Sequence, residues 1–194
     1  SLNEFKDSFD KEMKSLGSDD KYIEYTFKNG QGVTNTCASI ANDFAGKNFD
    51  CVMAIATPAA QAVAKLATKT PVVFSAVTDP VGSQLTSSLT KPDKNITGTS
   101  DEVQVDQIID KALEINPNTK TIGMLYNKGE ANSVTNIKKA KAYCAKKNIK
   151  VEEATIASVN EAQSAVNVLN SKCDAIFAPN DNTVASAMNV VSDA

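Results

Sequence analysis

Two near-continuous apolar runs, residues 51–56 (CVMAIA) and 72–77 (VVFSAV), stand out along the chain. Runs of this length without polar alternation predict strands buried on both faces of a parallel sheet. Between them, residues 59–68 are rich in Ala, Leu and Lys and carry apolar side chains at Ala59, Val63, Leu66 and Ala67. That spacing predicts a short return helix, and the three elements together make a βαβ unit. Each run ends in a small polar turn, Thr57-Pro58 after the first and Thr78-Asp79-Pro80 after the second.

Upstream, Leu2, Phe5, Phe9, Met13 and Leu16 form a helical stripe, with Ser1 as N-cap, Glu4 three residues on, and Gly17 as the stop. Residues 22–27 alternate as a strand, Asn29-Gly30 is turn material, and a helix over 33–44 is capped by Thr34 or Asn35. Downstream of the βαβ unit the pattern predicts a short helix over 81–89, a polar loop over 90–94 and a strand over 95–100. Gly98 and the acidic pair Asp101-Glu102 mark a crossing after which the pattern starts afresh, so a first lobe over 1–99 and a second over 100–194 are expected. In the second, helices over 105–115, 132–147 and 159–169 alternate with strands over 121–126, 149–156 and 174–178. A last helix begins near Asn182 or Thr183 and still runs at Ala194. The fold class is therefore α/β, two Rossmann-like lobes with parallel sheets. A chain that opens on a helix with no strand to feed it, and stops inside another, reads as truncated at both ends.

Composition narrows the chemistry. The 194 residues, 42% hydrophobic and 22% charged, are those of an ordinary globular protein, and a net charge of −3 gives no electrostatic reason to bind nucleic acid. Every basic residue is Lys; there is no His and no Arg. The chain thus lacks a Ser-His or Cys-His pair and a planar guanidinium fork for a carboxylate or phosphate. No Gly-rich phosphate loop follows a strand, and no pair of carboxylates is brought to a defined separation, so no catalytic residues, metal or cofactor are expected. Cys37, Cys51, Cys144 and Cys173 show no metal spacing and read as buried free thiols, with Cys37–Cys51 and Cys144–Cys173 open as pairings. The lysines at 138, 139, 141, 146 and 147 spread around one helix as its solvated face.

The polar residues collect at the carboxyl ends of strands, where open α/β sheets bind ligands. They are Thr57; Ser75, Ala76 and Thr78; Ser100 and Asp101; Tyr126, Asn127, Glu130, Asn132 and Ser133; and Asn180, Asp181, Asn182 and Thr183. Each turn alone is explained by helix capping. Four or five of them in two adjoining lobes point to a binding site, and the group types suit a zwitterion. Helix N-termini after Thr57 and Thr78 offer donors to a carboxylate, and Asp181, or alternatively Glu130 or Asp101, offers an acceptor to an ammonium. Phe74 and Tyr126 are candidate walls for an apolar side chain, against the competing reading of core packing.

Five segments, AIATPAAQA (54–62), VVFSAVTDPVGSQL (72–85), NITGTSD (95–101), TIGMLYNKGEANS (121–133) and AIFAPNDNTVASAM (175–188), resemble in order and separation the ABC-transporter substrate-binding proteins of the tryptophan/tyrosine-uptake type. The resemblance implies a type I periplasmic-binding-protein fold, two lobes that close over a ligand. It also implies an extracytoplasmic location, as a periplasmic protein or cell-surface lipoprotein, and an ABC permease as membrane partner. The implied ligand is an aromatic amino acid. By position, Thr57 then meets the ligand carboxylate, Ser75, Ala76 and Thr78 add contacts, Asn132 and Ser133 act from the second lobe, Asp181 takes the amino group and Asn182 caps the helix behind it. The same fold also serves as the sensing domain of signalling receptors, which is the alternative function; a glycosidase-like enzyme is the weaker third.

Overall fold

The structure, a computed structural model, describes residues 2–17 and 23–193. Ser1, Tyr22 and Ala194, used above as a cap, a strand end and a helix end, lie outside the described residues. The chain divides into two compact units, Ser1–Asp101 and Glu102–Ala194.

In the first unit, strands β1 (Val52–Ile55), β2 (Val72–Val77) and β3 (Ile96–Ser100) form a parallel sheet in the order β1-β2-β3. Helices α1 (Leu2–Ser15) and α2 (Thr34–Ala45) precede it. The return between β1 and β2 is helix α3 (Thr57–Val63), which tightens into a 3-10 turn over Ala64–Thr68. Val52, Ala54, Val72, Phe74 and Ile96 pack with Ala41 of α2 and with Ala60 and Val63 of α3 in one core. A buried Val or Phe contributes roughly 1.5–3 kcal/mol by leaving water.

The opposite face differs from the sequence expectation of strands buried on both sides. Val73 is 39% exposed there, and Met53 and Ile55 are half-buried. The β2–β3 register shifts between Phe74, which faces Gly98, and Val77, which faces Ser100. Strand β2 thus holds one extra residue, a bulge taken up at Ala76 with φ 55°. Gly98 is required beside it, because a Cβ there would stand 2.0 Å from the Phe74 carbonyl oxygen.

Two expected elements are absent from this unit. Residues 23–27 make no strand and leave Tyr25 and Phe27 exposed; a strand needs a neighbour for its N–H and C=O groups, and none pairs here among the described residues. Residues 81–89 make no helix. Asp79 instead accepts from the Gly82 N–H at 2.8 Å, Leu85 N–H donates to the Pro80 carbonyl, and Gln84 at φ 62° turns the chain away. Ser, Thr and Gly favour such local closure over helix. Helix α2 starts without the expected side-chain cap, on Val33.

In the second unit, β4 (Thr121–Tyr126) lies at the centre of a parallel sheet, with β5 (Lys150–Thr155) on one side and β6 (Ala175–Phe177) on the other. Around it run α4 (Val105–Ile115), α5 (Ala131–Lys146), α6 (Ala162–Asn170), α7 (Asn182–Ser186) and α8 (Met188–Asp193). Alternate residues of β4 feed two cores. Ile122, Met124 and Tyr126 meet Val105 and Ile109 of α4 and Ile137, Ala140 and Cys144 of α5, whereas Leu125 meets Val166 and Leu169 of α6 and Val184 of α7. Strand β4, by contrast, is covered on both faces and buried from Ile122 to Tyr126. The last helix is two helices rather than one, broken at Ala187.

Three solvated lysines on and just after α5 are paired: Lys139 with Glu102 at 2.6 Å, Lys141 with Glu153 at 2.5 Å, and Lys147 with Asp110 at 2.9 Å. Such exposed pairs add little stability. None of the four cysteines forms a disulfide; Cys37 and Cys144 are buried, Cys173 is half-buried, and Cys51, expected inside, is exposed. Among the described residues no helix is long and apolar enough to cross a membrane.

Candidate functional site

Each unit presents a rim of polar turns where its strands end, and the two rims are built by different means. In the first, Ile55 passes into Ala56 at φ 76°, ψ 156°, a region that costs an L-residue about 1–3 kcal/mol. The Ala56 N–H donates to the Ser75 carbonyl at 2.9 Å, and its own carbonyl accepts from Ala60 N–H at 3.0 Å, which turns the strand directly into α3. Ala76, at the end of the adjacent strand, is the second alanine with positive φ. Two strained alanines at neighbouring strand ends fix the backbone that carries Thr57 and Thr78, both buried. Sequence reasoning named Ala76 but missed Ala56, for alanine carries no mark of an unusual φ.

The hydroxyls of this rim are linked to one another. Thr78 donates through Oγ1 to Asp101 Oδ1 at 3.2 Å, and Thr99 donates to Ser75 Oγ at 3.3 Å. Partial burial of the Asp101 carboxyl pushes its pKa up, against the Thr78 hydroxyl, which pulls it down. Thr57, Ser75, Ala76, Thr78 and Asp101 therefore share one edge of one sheet.

The second rim is made of side chains. Residues 180–183 follow β6 and open α7, and the N-terminal turn of α5 holds every one of them. Asn132 Nδ2 donates to the Asn180 carbonyl at 2.8 Å, and Asn136 Nδ2 donates to Asn180 Oδ1 at 2.7 Å. Ser133 Oγ donates to Asp181 Oδ2 at 2.7 Å. Glu130 Oε2 accepts from Asn182 N–H at 3.0 Å and from Asn182 Nδ2 at 2.7 Å. Its Oε1 accepts from the N–H and the hydroxyl of Thr183, each at 3.0 Å.

Asn127, which opens the turn after β4, adds two links: its N–H donates to Asp181 Oδ2 at 2.7 Å and its Nδ2 to Thr183 Oγ1 at 2.8 Å. Asp181 is the N-cap of α7, with Oδ1 accepting from Val184 N–H at 2.9 Å. The Oδ1 atoms of Asn132 and Asn136 are buried without a hydrogen-bond partner.

The two carboxylates at this rim are each 1% exposed, and among the described residues neither has a lysine in ion-pair range. A carboxylate offers about four lone-pair sites. Glu130 fills all four on Asn182 and Thr183. Asp181 fills three, two on Oδ2 and one on Oδ1, and so keeps one open. Burial pushes the Asp181 pKa up and the Glu130 charge adds to that, while the Ser133, Asn127 and Val184 donors pull it down.

Asn132, Ser133, Asp181 and Asn182 are thus gathered at one point of the second unit. Tyr126 is not: its ring lies in the core, and its hydroxyl donates to Glu153 at 2.9 Å, with burial and that bond raising its pKa to about 12. Phe74 is likewise core. Asn136 was missed by sequence reasoning, although its i,i+4 spacing from Asn132 on the buried side of α5 signals it. Among the described residues, no group of three or more Cys, Asp or Glu side chains could hold a metal ion.

Comparison with known proteins follows the same lines. A family model described as ABC transporter substrate binding protein matches residues 1–194. A curated "Tyrosine-binding protein" from Clostridioides difficile is 36% identical over 193 residues, 99% of this chain and 56% of that protein. A solved ABC domain in complex with L-Trp from Streptococcus pneumoniae superposes with a TM-score of 0.94 at 36% identity, over 99% of this chain and 65% of that one. A conserved domain protein from Vibrio cholerae superposes with a TM-score of 0.87 at 41% identity, over 93% of this chain and 63% of that one. The chain thus spans 56% to 65% of the length of these relatives.

Proposed function

The chain belongs to the ABC transporter substrate-binding protein family, and from that premise we propose that it captures tryptophan or tyrosine as part of an importer's extracytoplasmic receptor. The observation that carries this reading is the fourth acceptor site of Asp181, a buried carboxylate without a cation. A ligand ammonium fills such a site with a charge-assisted hydrogen bond.

The ligand carboxylate belongs elsewhere. The Asn182 and Thr183 N–H groups are taken by Glu130 and the Val184 N–H by Asp181, so α7 has no such donor left for an anion. The first rim suits it instead, through the hydroxyls of Thr57 and Ser75 and the backbone beside Ala56 and Ala76, with Thr78, whose hydroxyl donates to Asp101, adjoining. Asn132, Ser133 and Asn182 complete the proposed contacts from the second rim. An α-amino acid carries both charges. Its aromatic side chain is supported by what two relatives at 36% identity are described as binding, tyrosine and L-Trp. Delivery to an ABC permease, location outside the cytoplasmic membrane, by lipid anchor or in a periplasm, and the absence of a catalytic step complete the proposal.

Calorimetric titration of the full-length protein with a panel of amino acids, led by L-tryptophan and L-tyrosine, tests it. Affinity should weaken on acidification, with a definite sign. Only the ionised carboxylate accepts from an ammonium, so bound ligand lowers the Asp181 pKa, and binding takes up the cost of releasing its proton below the free-state value. That value lies above the ordinary Asp value of about 3.9. No heat from any amino acid, across pH 5 to 8, removes the reading.

A further inference from the structure

Glu130 stands at the N-cap position of α5 yet makes no side-chain cap to its own helix. All four of its short hydrogen bonds go to Asn182 and Thr183, the first two residues of α7. A buried carboxylate with no cation loses much of its hydration, and only a full set of donors offsets that. Here the full set lies on one short segment, next to the residue proposed to meet the ligand.

We propose that Glu130 is the positioning residue of the second rim, holding the first turn of α7 so that Asp181 keeps one acceptor site for the ligand. The assignment rests on the amino-acid reading of that site. Its physical basis is competition for donors. An N-cap carboxylate ordinarily serves the N–H groups of the second and third helical residues. In α7 the first two N–H groups belong to Glu130, which leaves Asp181 only the third, from Val184, and frees its Oδ2 for Asn127 and Ser133. Without the Glu130 oxygens, the Asn182 and Thr183 N–H groups lose their acceptors. Asp181 is then drawn toward them and away from Asn127 and Ser133.

The test uses the full-length protein carrying Glu130→Gln, which keeps the shape but turns one acceptor into a donor facing other donors. Calorimetry with L-tryptophan and L-tyrosine should show affinity weakened by about tenfold or more. Hydrogen exchange should quicken at the Asn182 and Thr183 amides while β4 and α6 amides stay as they were. A structural role alone would not couple to Asp181, so the deciding readout is a double-mutant cycle. In an Asp181→Asn background, adding Glu130→Gln should change the dissociation constant by less than about twofold.

Additive effects in that cycle, or a folded Glu130→Gln protein that binds within about twofold of wild type, would overturn the assignment. Thr183→Val removes one of the four bonds, together with the acceptor of Asn127 Nδ2, and keeps the charge. It should weaken binding by about threefold even if Glu130→Gln fails to fold, and an unchanged affinity there counts equally against the role. If the wild-type protein binds neither amino acid, the ligand reading fails instead. Exchange at 182 and 183 in Glu130→Gln then still decides whether Glu130 holds the turn, and unchanged rates overturn it.

Discussion

The first lobe shapes its rim with backbone and the second with side chains. At the ends of β1 and β2, two alanines at positive φ and a bulge against Gly98 set the turns, and the polar links among Ser75, Thr78, Thr99 and Asp101 are each 3.2 Å or longer. At the end of β6, Asn127, Glu130, Asn132, Ser133 and Asn136 hold residues 180–183 through a dense set of bonds, most of them 2.7–3.0 Å. The supporting layers differ in the same sense. The second sheet feeds a core on each face, whereas the first has one core and an opposite face where Val73 is exposed. Similar parallel βα units therefore reach a fixed polar rim by two routes. One stores local strain; the other desolvates charge and satisfies it.

The largest effect should come from the second rim. Asp181→Ala strips acceptors from the Asn127 and Val184 N–H groups and the Ser133 hydroxyl, and should cost about 3 kcal/mol in chemical denaturation. Calorimetry should show ligand affinity falling by about a hundredfold as the ammonium loses its partner. Unchanged affinity in a folded protein would mean that the rims do not divide the two ligand charges.

Next comes a backbone test of the first lobe. Gly98→Ala drives a Cβ against the Phe74 carbonyl and should lower stability by about 2 kcal/mol, read from the urea midpoint. A neutral result would show that the β2–β3 bulge is not rigid. Thr78→Val removes the hydroxyl that meets Asp101. It should weaken binding by about tenfold with a stability loss of about 1 kcal/mol, which calorimetry and a thermal melt separate.

The smallest effect has opposite signs on stability and affinity. Ala56→Gly relieves an unfavourable φ and should stabilise the protein by about 1 kcal/mol, while loosening the turn enough to weaken binding by about twofold. Destabilisation instead would mean that the alanine is unstrained and that the contrast between the rims is one of composition alone.

Much of the fold was legible because it rests on one-dimensional patterns. The apolar runs at 52–55, 72–77 and 121–126 are strands, and the threefold and fourfold spacing of Val105, Ile109, Ile137 and Ala140 marks helices whose faces are buried. The polar turns after strands were visible for the same reason, since capping residues and Pro announce them. The misses have physical causes. Residues 23–27 carry a strand-like alternation, but a strand exists only with a partner. Residues 81–89 carry enough apolar residues for a helix, but Asp79 and Pro80 close the chain on itself first.

The amino-acid sequence by itself thus determined the α/β class and the set of polar turns, because periodicity, Pro, Gly and capping residues act through neighbours a few positions away. Tertiary structure alone decided the roles within that set. It alone made Tyr126 a core ring, gave Glu130 four donors 52 and 53 residues downstream, and left Asp181 with one acceptor site open. A carboxylate in a sequence is a charge; how many of its lone pairs are filled depends on which distant backbone N–H groups the fold brings to it.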